Sequence, residues 1–344
     1  MRRGAKIALW SGGAIAFVLV ALLAAVSWVL FTTSGARWVA ELATSRFAPM
    51  VKYATLDGTI AGELVVTDFR FEGDPTTAKI RIARMTVDPT LRMLLSRVLR
   101  IDRASVEGLV LTLPTEEKPD EPETPLWVEP PLEVVVNDFS LRDGRVIKGD
   151  ERLLSIKQLG ISARWSREAI DIERLELLPG DIEGEIDVTG RITPAGQTLR
   201  GVLDARWRKV VVPESLAGRV LHSEGELHID GTPAKYAAKG ELDVGPPGDM
   251  THAVLDVSGT DRRATLHTVE LRQRAGKFAL NGTLDFEPVA WDLKVNAQDF
   301  NPGILLADWP GKLNLALSSR GVLAEGGPRG NVDIARLDGI LRGR

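Results

Sequence analysis

Strict alternation of apolar and polar residues is the feature that most constrains this chain. It is clearest between Gly276 and Gln298, where a turn at Glu287-Pro288 separates two alternating stretches. A period of two places successive side chains on opposite faces of a strand, so each stretch predicts a strand with one apolar and one polar face. Asn281-Gly282 could instead form a two-residue hairpin turn, but the unbroken alternation favours a single strand.

The same alternation recurs through the C-terminal half of the chain, at residues 182–188, 224–230, 235–244 and 312–318. A sheet of such strands must cover its apolar face, and residues 200–344 contain no segment with a helical period. Two hypotheses follow. Either the sheet folds over onto itself as a closed scaffold, or the apolar face is a groove for a ligand with hydrocarbon chains.

The groove hypothesis predicts its own lining. An apolar sheet face left open would exceed the few hundred square ångströms that a soluble protein normally exposes, unless a ligand such as phospholipid acyl chains covered it. The predicted lining residues are Leu227, Ile229, Leu242, Phe278, Leu280, Leu284, Phe286, Trp291, Leu293 and Val295.

The N-terminal region predicts a membrane anchor. Residues Ile7 to Thr33 carry no charge, and as a helix they would span about 40 Å, more than the roughly 30 Å of bilayer hydrocarbon. The basic residues before this run keep the N-terminus in the cytoplasm, so the bulk of the chain lies across the membrane. A cleaved signal peptide with a site at residues 25–27 is the alternative, but the apolar run continues past that site. The predicted anchor residues are Ile7, Trp10, Trp28 and Phe31.

Three parts are therefore expected: a stub and anchor at 1–34, a short helical connector at 35–49, and a repetitive β array at 50–344 that we expect to continue further. We predict about eighteen mostly antiparallel strands, stacked to a length of about 85 Å. Residues 66–73 resemble residues 136–144, which indicates a repeated unit. The acidic, proline-rich segment 114–131 predicts a solvated surface loop inside the array, with a charged docking site as the alternative.

The inventory of reactive groups argues against an enzyme, a metal site or a cofactor. There is no cysteine, and the four histidines lack both metal-site spacing and an adjoining nucleophile motif. His228 lies on the polar side of its strand, which predicts an exposed surface histidine. After the three basic residues of the anchor region are set aside, 40 basic residues face 47 acidic ones. This negative balance argues against a nucleic-acid partner.

Several short motifs, in order along the chain, resemble the TamB family of the AsmA-like group. Behind the N-terminal anchor, they are residues 56–64, 88–95, 101–108, 207–213, 291–302 and 310–313. The resemblance implies a periplasmic protein fixed to the inner membrane, with a long, taco-like β-sheet around a hydrophobic groove.

The resemblance also implies a function and a partner. The partner would be TamA, an outer-membrane barrel of the Omp85 type, and the functions would be outer-membrane protein (autotransporter) assembly and phospholipid movement between the two membranes. TamB chains are longer, and residues 337–341 read as an array stopped within a unit. We therefore expect an N-terminal fragment that lacks the C-terminal portion which meets TamA.

Overall fold

A computed structural model describes residues 27–45, 50–72, 78–114, 127–214, 218–324 and 327–341. The chain divides into two compact units. The first comprises Met1–Asp120 and Leu132–Ser155, and the second comprises Glu121–Pro131 and Ile156–Arg344.

Among its described residues, the first unit combines helical segments near the N-terminus with strands β1–β6. Residues 27–31 are helical, and helix α1 follows directly. Each strand pairs antiparallel with a neighbour, except that β5 and β6 are parallel. A 3-10 helix at Leu91–Ser96 connects β4 to β5. The elements are α1 (Thr33–Ser45), β1 (Val51–Lys52), β2 (Thr55–Gly58), β3 (Leu64–Phe71), β4 (Lys79–Thr90), β5 (Val98–Leu113) and β6 (Glu133–Lys148).

Helix α1 packs against the apolar side of strands β2 and β3. Thr32 begins the helix, because its hydroxyl accepts a hydrogen bond from the Gly35 amide at 3.0 Å. Ala36 is buried in a core cluster with Leu56 and Val66, whereas Arg37 donates to the carbonyl of Leu56 at 3.0 Å. Small residues on this side of α1 let the helix approach the strands closely, so the first unit contains a sealed core.

The second unit is a run of consecutive antiparallel strands, in which each strand pairs with the next along the chain. The strands are β7 (Glu151–Trp165, in this unit from Ile156), β8 (Ile170–Pro179), β9 (Glu183–Ala195), β10 (Thr198–Val212), β11 (Leu221–Thr232), β12 (Lys235–Gly245), β13 (Thr251–Gly259), β14 (Arg263–Arg272), β15 (Lys277–Phe286), β16 (Val289–Phe300), β17 (Gly311–Ala324) and β18 (Gly327–Leu341). A 3-10 turn at Pro302–Ile304 follows β16.

β-Bulges keep the apolar side chains on one face of the sheet at positions where the alternation of apolar and polar residues is interrupted. Trp207 and Val210 are three residues apart, yet both lie on the same side of the sheet, opposite Gly225 and Ser223 of β11, because the register shifts between them at Lys209, whose φ is +52°. Asp299, at φ +49°, does the same between Ala297 and Phe300. A spacing of three between apolar residues therefore marks a bulge in this sheet.

The predicted all-β, mostly antiparallel fold is confirmed, and the described residues contain eighteen strands. Gly276 to Gln298 contains the two predicted strands, and Asn281-Gly282 lies inside β15 and forms no turn. Residues 66–73 and 136–144 lie mainly on β3 and β6, and β4 and β7 follow them in sequence. The core of the acidic segment, residues 115–126, lies outside the described residues.

The membrane anchor also falls largely outside them. Ile7 and Trp10 belong to residues 1–26, which the structure does not describe, so only the end of the predicted span is visible. Among the described helices, none has both the length and the apolar character that a bilayer crossing requires. The helix predicted after the anchor is present as α1.

Candidate functional site

A continuous row of apolar residues crosses the second unit from β7 to β18. Each member is the direct cross-strand partner of the next, so the row follows from the register alone. Its members are Ile161, Leu175, Val188, Ala205, Leu227, Gly240, Leu255, Val269, Leu280, Val295, Leu317 and Ile334.

Three further rows run beside this one on the same side of the sheet. On β15 and β16 they pass through Phe278 and Ala297, through Gly282 and Leu293, and through Leu284 and Trp291. We call these four rows the apolar face, and the opposite side the polar face. With strands about 4.8 Å apart and alternate residues about 6.8 Å apart, the face extends about 53 Å across the strands and about 20 Å along them.

The apolar face is partly buried but is not closed off from solvent. Its large side chains are mostly half-buried, including Leu227, Leu280 and Leu293. In the described part of the chain, the largest side chain with less than 2% of its surface exposed is Thr251. A closed sandwich of this size would bury many leucines and phenylalanines completely, as protein interiors do.

Nine of the ten predicted groove residues lie in the four rows of the apolar face, and Phe286 lies just beyond them on the same side of the sheet. Leu227 and Ile229 are on β11, Leu242 is on β12, and the other seven are on β15 and β16. Nine of them are half-buried, whereas Phe286, at the strand end, is 45% exposed. The predicted lining omitted the equivalent residues of the other strands of this unit, and in β10 and β14 bulges interrupt the alternation.

Two tryptophans lie on the apolar face in the same arrangement. The Nε1 of Trp291 donates to the Ser319 hydroxyl at 2.9 Å, and Gly321 is its direct cross-strand partner. A Cβ at Gly321 would lie 2.4 Å from Cζ2 of the indole, so the ring rests on the space that the glycine leaves open. The Nε1 of Trp207 likewise donates to the Ser223 hydroxyl at 2.9 Å, and Gly225 on β11 is its direct cross-strand partner.

The connection between β16 and β17, residues 301–310, closes one end of the apolar face; we call it the end loop. Burial is concentrated at this end, where Leu221, Thr251, Ala253 and Phe300 are buried. Ile304 of the end loop is buried as well, and the rings of Phe278 and Phe300 lie 5.4 Å apart. The polar-face residues at the same end, such as Gln298 and Asp299, are exposed. The end loop therefore packs over the apolar side.

Hydrogen bonds hold the end loop across several strands. Arg219, just before β11, donates from Nη1 to the carbonyl of Gly303 at 2.8 Å. Gln273, after β14, donates to the Asn301 carbonyl at 3.0 Å and accepts from the Asn301 amide at 2.9 Å. The Asn301 side chain in turn accepts from the amides of Gly303 and Gly311, both at 3.0 Å. These contacts join the loop to strands β11 and β14.

The polar face is a surface of ion pairs. Lys239 contacts Asp256 at 2.9 Å, and His228 contacts Asp204 at 2.8 Å. His228 is exposed and on this face, as predicted. The Arg263 guanidinium, hydrogen-bonded to Asp285, holds the pKa of that carboxyl below its ordinary value. Shallow depressions lie on this face, including one lined by Asp204, Arg206, Glu226, His228, Lys239, Glu241 and Asp256.

One arrangement on the polar face has the form of a catalytic pair. The Ser258 hydroxyl lies 2.7 Å from Nε2 of His267 on the next strand, a contact that sequence spacing did not indicate. Both side chains are on an exposed surface, and the hydrogen bonds found among the described residues supply no carboxylate to the other ring nitrogen. A nucleophile requires such an oriented base, so this pair lacks the parts of a hydrolytic site.

Sequence comparison identifies the family of this apolar-faced sheet. The sequence model described as TamB, N-terminal domain, matches residues 22–184 and 178–344. The chain belongs to the TamB family. Searches of curated proteins and of solved structures each found no match.

The two TamB matches together include all described residues, and therefore the whole apolar face and the end loop. Membership of the TamB family implies a role in the translocation and assembly module and a place at the inner membrane. Within the described residues, no group of three or more histidine or acidic side chains is arranged to hold a metal ion.

Proposed function

We propose that this TamB-family chain is an inner-membrane-anchored periplasmic component of the translocation and assembly module, and that its apolar face carries phospholipid acyl chains between the inner and outer membranes. In that role it supports the assembly and secretion of outer-membrane proteins, including autotransporters. Its outer-membrane partner is a TamA-type barrel of the Omp85 class. The chain is not an enzyme and requires no metal or cofactor.

The observation that carries the lipid proposal is the unsealed apolar face of β7–β18. The four rows span an area on the order of 1,000 Å², whereas exposed apolar patches on soluble proteins are normally a few hundred square ångströms. Because its large side chains are only half-buried, this area is accessible to a hydrocarbon ligand. Acyl chains are the chemistry that matches a long, narrow face on which polar groups such as those of Trp291 and Ser319 are hydrogen-bonded to each other.

The energetics of such a face suit transport. Each methylene removed from water contributes about 0.8 kcal/mol, so a few methylenes suffice to hold a chain. The rows repeat similar aliphatic side chains from strand to strand, so neighbouring positions along them bind a methylene about equally well. A ligand can therefore move along the rows without a deep energy minimum.

Site-specific photocrosslinking tests this proposal. A photoreactive phenylalanine analogue at Leu280, on the apolar face, should form phospholipid adducts in membranes, detectable by mass spectrometry. The matched control is Asn281, the next residue of the same strand, which lies on the polar face. Equal adducts at both positions, or none at Leu280, would contradict the proposal.

The competing function is a membrane-anchored structural scaffold, or AsmA-like envelope protein, that conducts no lipid. It requires an apolar face closed by its own side chains. The end loop favours this reading for one end of the sheet, where Thr251 and Phe300 are buried. The half-buried rows in the middle of β11–β16 favour the lipid proposal, and the photocrosslinking experiment separates the two.

A further inference from the structure

The turn between β4 and β5, residues 91–97, exposes two of its three leucines to solvent. Leu95 is 94% exposed and Leu94 is 37% exposed, although both side chains are apolar. Arg92 and Arg97 flank them and are also exposed. A single exposed leucine is common on a protein surface. Two adjacent exposed leucines in one turn, one of them almost fully exposed, form a small apolar protrusion.

This turn lies at the same end of the first unit as residues 27–34, the described part of the predicted anchor. β3 begins beside the end of β4, since Leu64 pairs with Val87, so the β2–β3 turn and the β4–β5 turn are neighbours. The β2–β3 turn contacts the N-terminal segment directly, because the Ala61 amide donates to the Leu30 carbonyl at 2.8 Å. Leu30 belongs to the uncharged run that predicts the membrane span.

Other exposed apolar side chains collect beside that contact. Trp28 and Phe31 are exposed, and the Trp28 ring lies 6.4 Å from that of Trp38 on α1. Trp38 and Leu42 project from the side of α1 opposite Ala36, which packs on the sheet. Tryptophan side chains are enriched at the membrane–water interface, because their rings combine apolar area with a hydrogen-bond donor.

We infer that the 91–97 turn is a second membrane contact, which inserts Leu94 and Leu95 into the surface of the phospholipid bilayer that holds the anchor. Arg92 and Arg97 are placed to meet lipid phosphates, and the turn itself contains no acidic residue. Glu63, on the neighbouring β2–β3 connection, is exposed and limits the charge contribution, so the leucines are the main contact. This inference rests on the proposed function for the presence of the bilayer.

Such a contact would fix the orientation of the first sheet. A single helical anchor allows the attached domain to tilt and rotate. A second membrane contact at the same end of the strands directs the strands away from the bilayer. β5 has 16 residues, so its far end lies about 50 Å from the turn. Only one end of the unit can then touch the membrane.

Site-specific fluorescence on the full chain tests the inference, because the absence of cysteine makes any introduced thiol unique. An environment-sensitive fluorophore is attached to Leu95→Cys, to Phe31→Cys and to Asp150→Cys. Asp150 is exposed and follows β6 at the opposite strand end. Each variant is reconstituted into vesicles of phosphatidylethanolamine and phosphatidylglycerol, with or without lipids that carry a nitroxide near the headgroup.

We expect the nitroxide lipids to reduce the emission at positions 31 and 95 at least about twofold and to leave position 150 unchanged. If position 31 is quenched while position 95 behaves like position 150, the turn stays in water and this inference is wrong, although the anchor stands. If position 31 is not quenched, the membrane topology of the proposed function is itself contradicted. The three labels therefore separate the two failures.

Discussion

The indole nitrogen of Trp291 and the hydroxyl of Ser319 lie 2.9 Å apart on neighbouring strands of the apolar face. Trp207 and Ser223 repeat this relationship at the same distance. In each case the serine satisfies the only polar atom of the ring, so the tryptophan lies against the sheet and presents an apolar surface. A large polar-tipped side chain is thereby made compatible with an apolar face.

The space under the Trp291 ring predicts the effect of filling it. Gly321→Ala would place a methyl group 2.4 Å from the ring, and the ring cannot move without losing the Ser319 hydrogen bond. Such overpacking typically costs about 1–3 kcal/mol, so the urea midpoint of the variant should fall. Gly201→Ala is the control, because the nearest atom to its added methyl is a Leu203 carbon at 3.6 Å. Equal midpoints for the two variants would contradict the packing described here.

The parallel β5–β6 pair predicts a response to acid. Asp102 on β5 accepts hydrogen bonds from the Thr90 hydroxyl, from Arg100 at 2.7 Å and from Asn137 on β6 at 2.9 Å. These contacts, that of Thr90 foremost and then that of Arg100, lower the pKa of Asp102 below its ordinary value of 3.8. A carboxyl with a lowered folded pKa stabilises the fold above its ordinary pKa, and loses that contribution as the pH falls through the folded value.

The melting temperature, followed by circular dichroism, should therefore fall below about pH 4 in the wild-type chain. Asp102→Asn should melt at a lower temperature near neutral pH, because the charged hydrogen bonds are lost, and should show a smaller further decrease in acid. Asp138→Asn, an exposed position on β6, is the control. An unchanged acid response in Asp102→Asn would rule out this role for the carboxylate.

The end loop predicts local protection from exchange. Arg219→Ala removes the hydrogen bond to the Gly303 carbonyl, and a bond of this charged type contributes about 1.5–3 kcal/mol. Amide hydrogen exchange of residues 303–306 should accelerate roughly tenfold or more, while that of β11–β15 stays unchanged. Arg274→Ala, an exposed arginine in the β14–β15 turn, should have no such effect. Uniform acceleration throughout the second unit would show that the loop is part of a global core.

Much of this architecture was predictable from the sequence, for an identifiable reason. Each row of the apolar face consists of direct cross-strand partners, such as Leu280 and Val295. The alternation in the sequence therefore predicts which side chains share a face of the sheet. The parallel pairing of β5 with β6 was not predictable, since parallel and antiparallel strands share the same period. The contact between Arg219 and Gly303 joins residues far apart in sequence, and no local pattern indicates it.

The predicted groove residues also combine a feature that the sequence predicts with one that it does not. Alternation placed Leu284 and Leu293 on one face, which the register confirms. It could not reveal whether that face is covered, because a closed scaffold and an open groove require the same pattern. The bulges at Lys209 and Asp299 also obscured the apolar rows, although the spacing of three residues around each was a usable signal.

Leu284→Arg tests the central claim, an open apolar face that carries lipid, most directly. In an open face the new side chain projects into accessible space, so the melting temperature should stay close to that of the wild type while co-purifying phospholipid is lost. Thr283→Arg is the matched control, because Thr283 lies on the polar face of the same strand opposite Asp292 and should preserve both properties. In a closed scaffold Leu284→Arg would bury an unpaired charge and destabilise the fold by several kcal/mol. The measurement is bound phospholipid by mass spectrometry alongside thermal melting by circular dichroism. An intact fold without lipid is the predicted result, whereas a lost fold, or an intact fold with full lipid occupancy, would contradict the account.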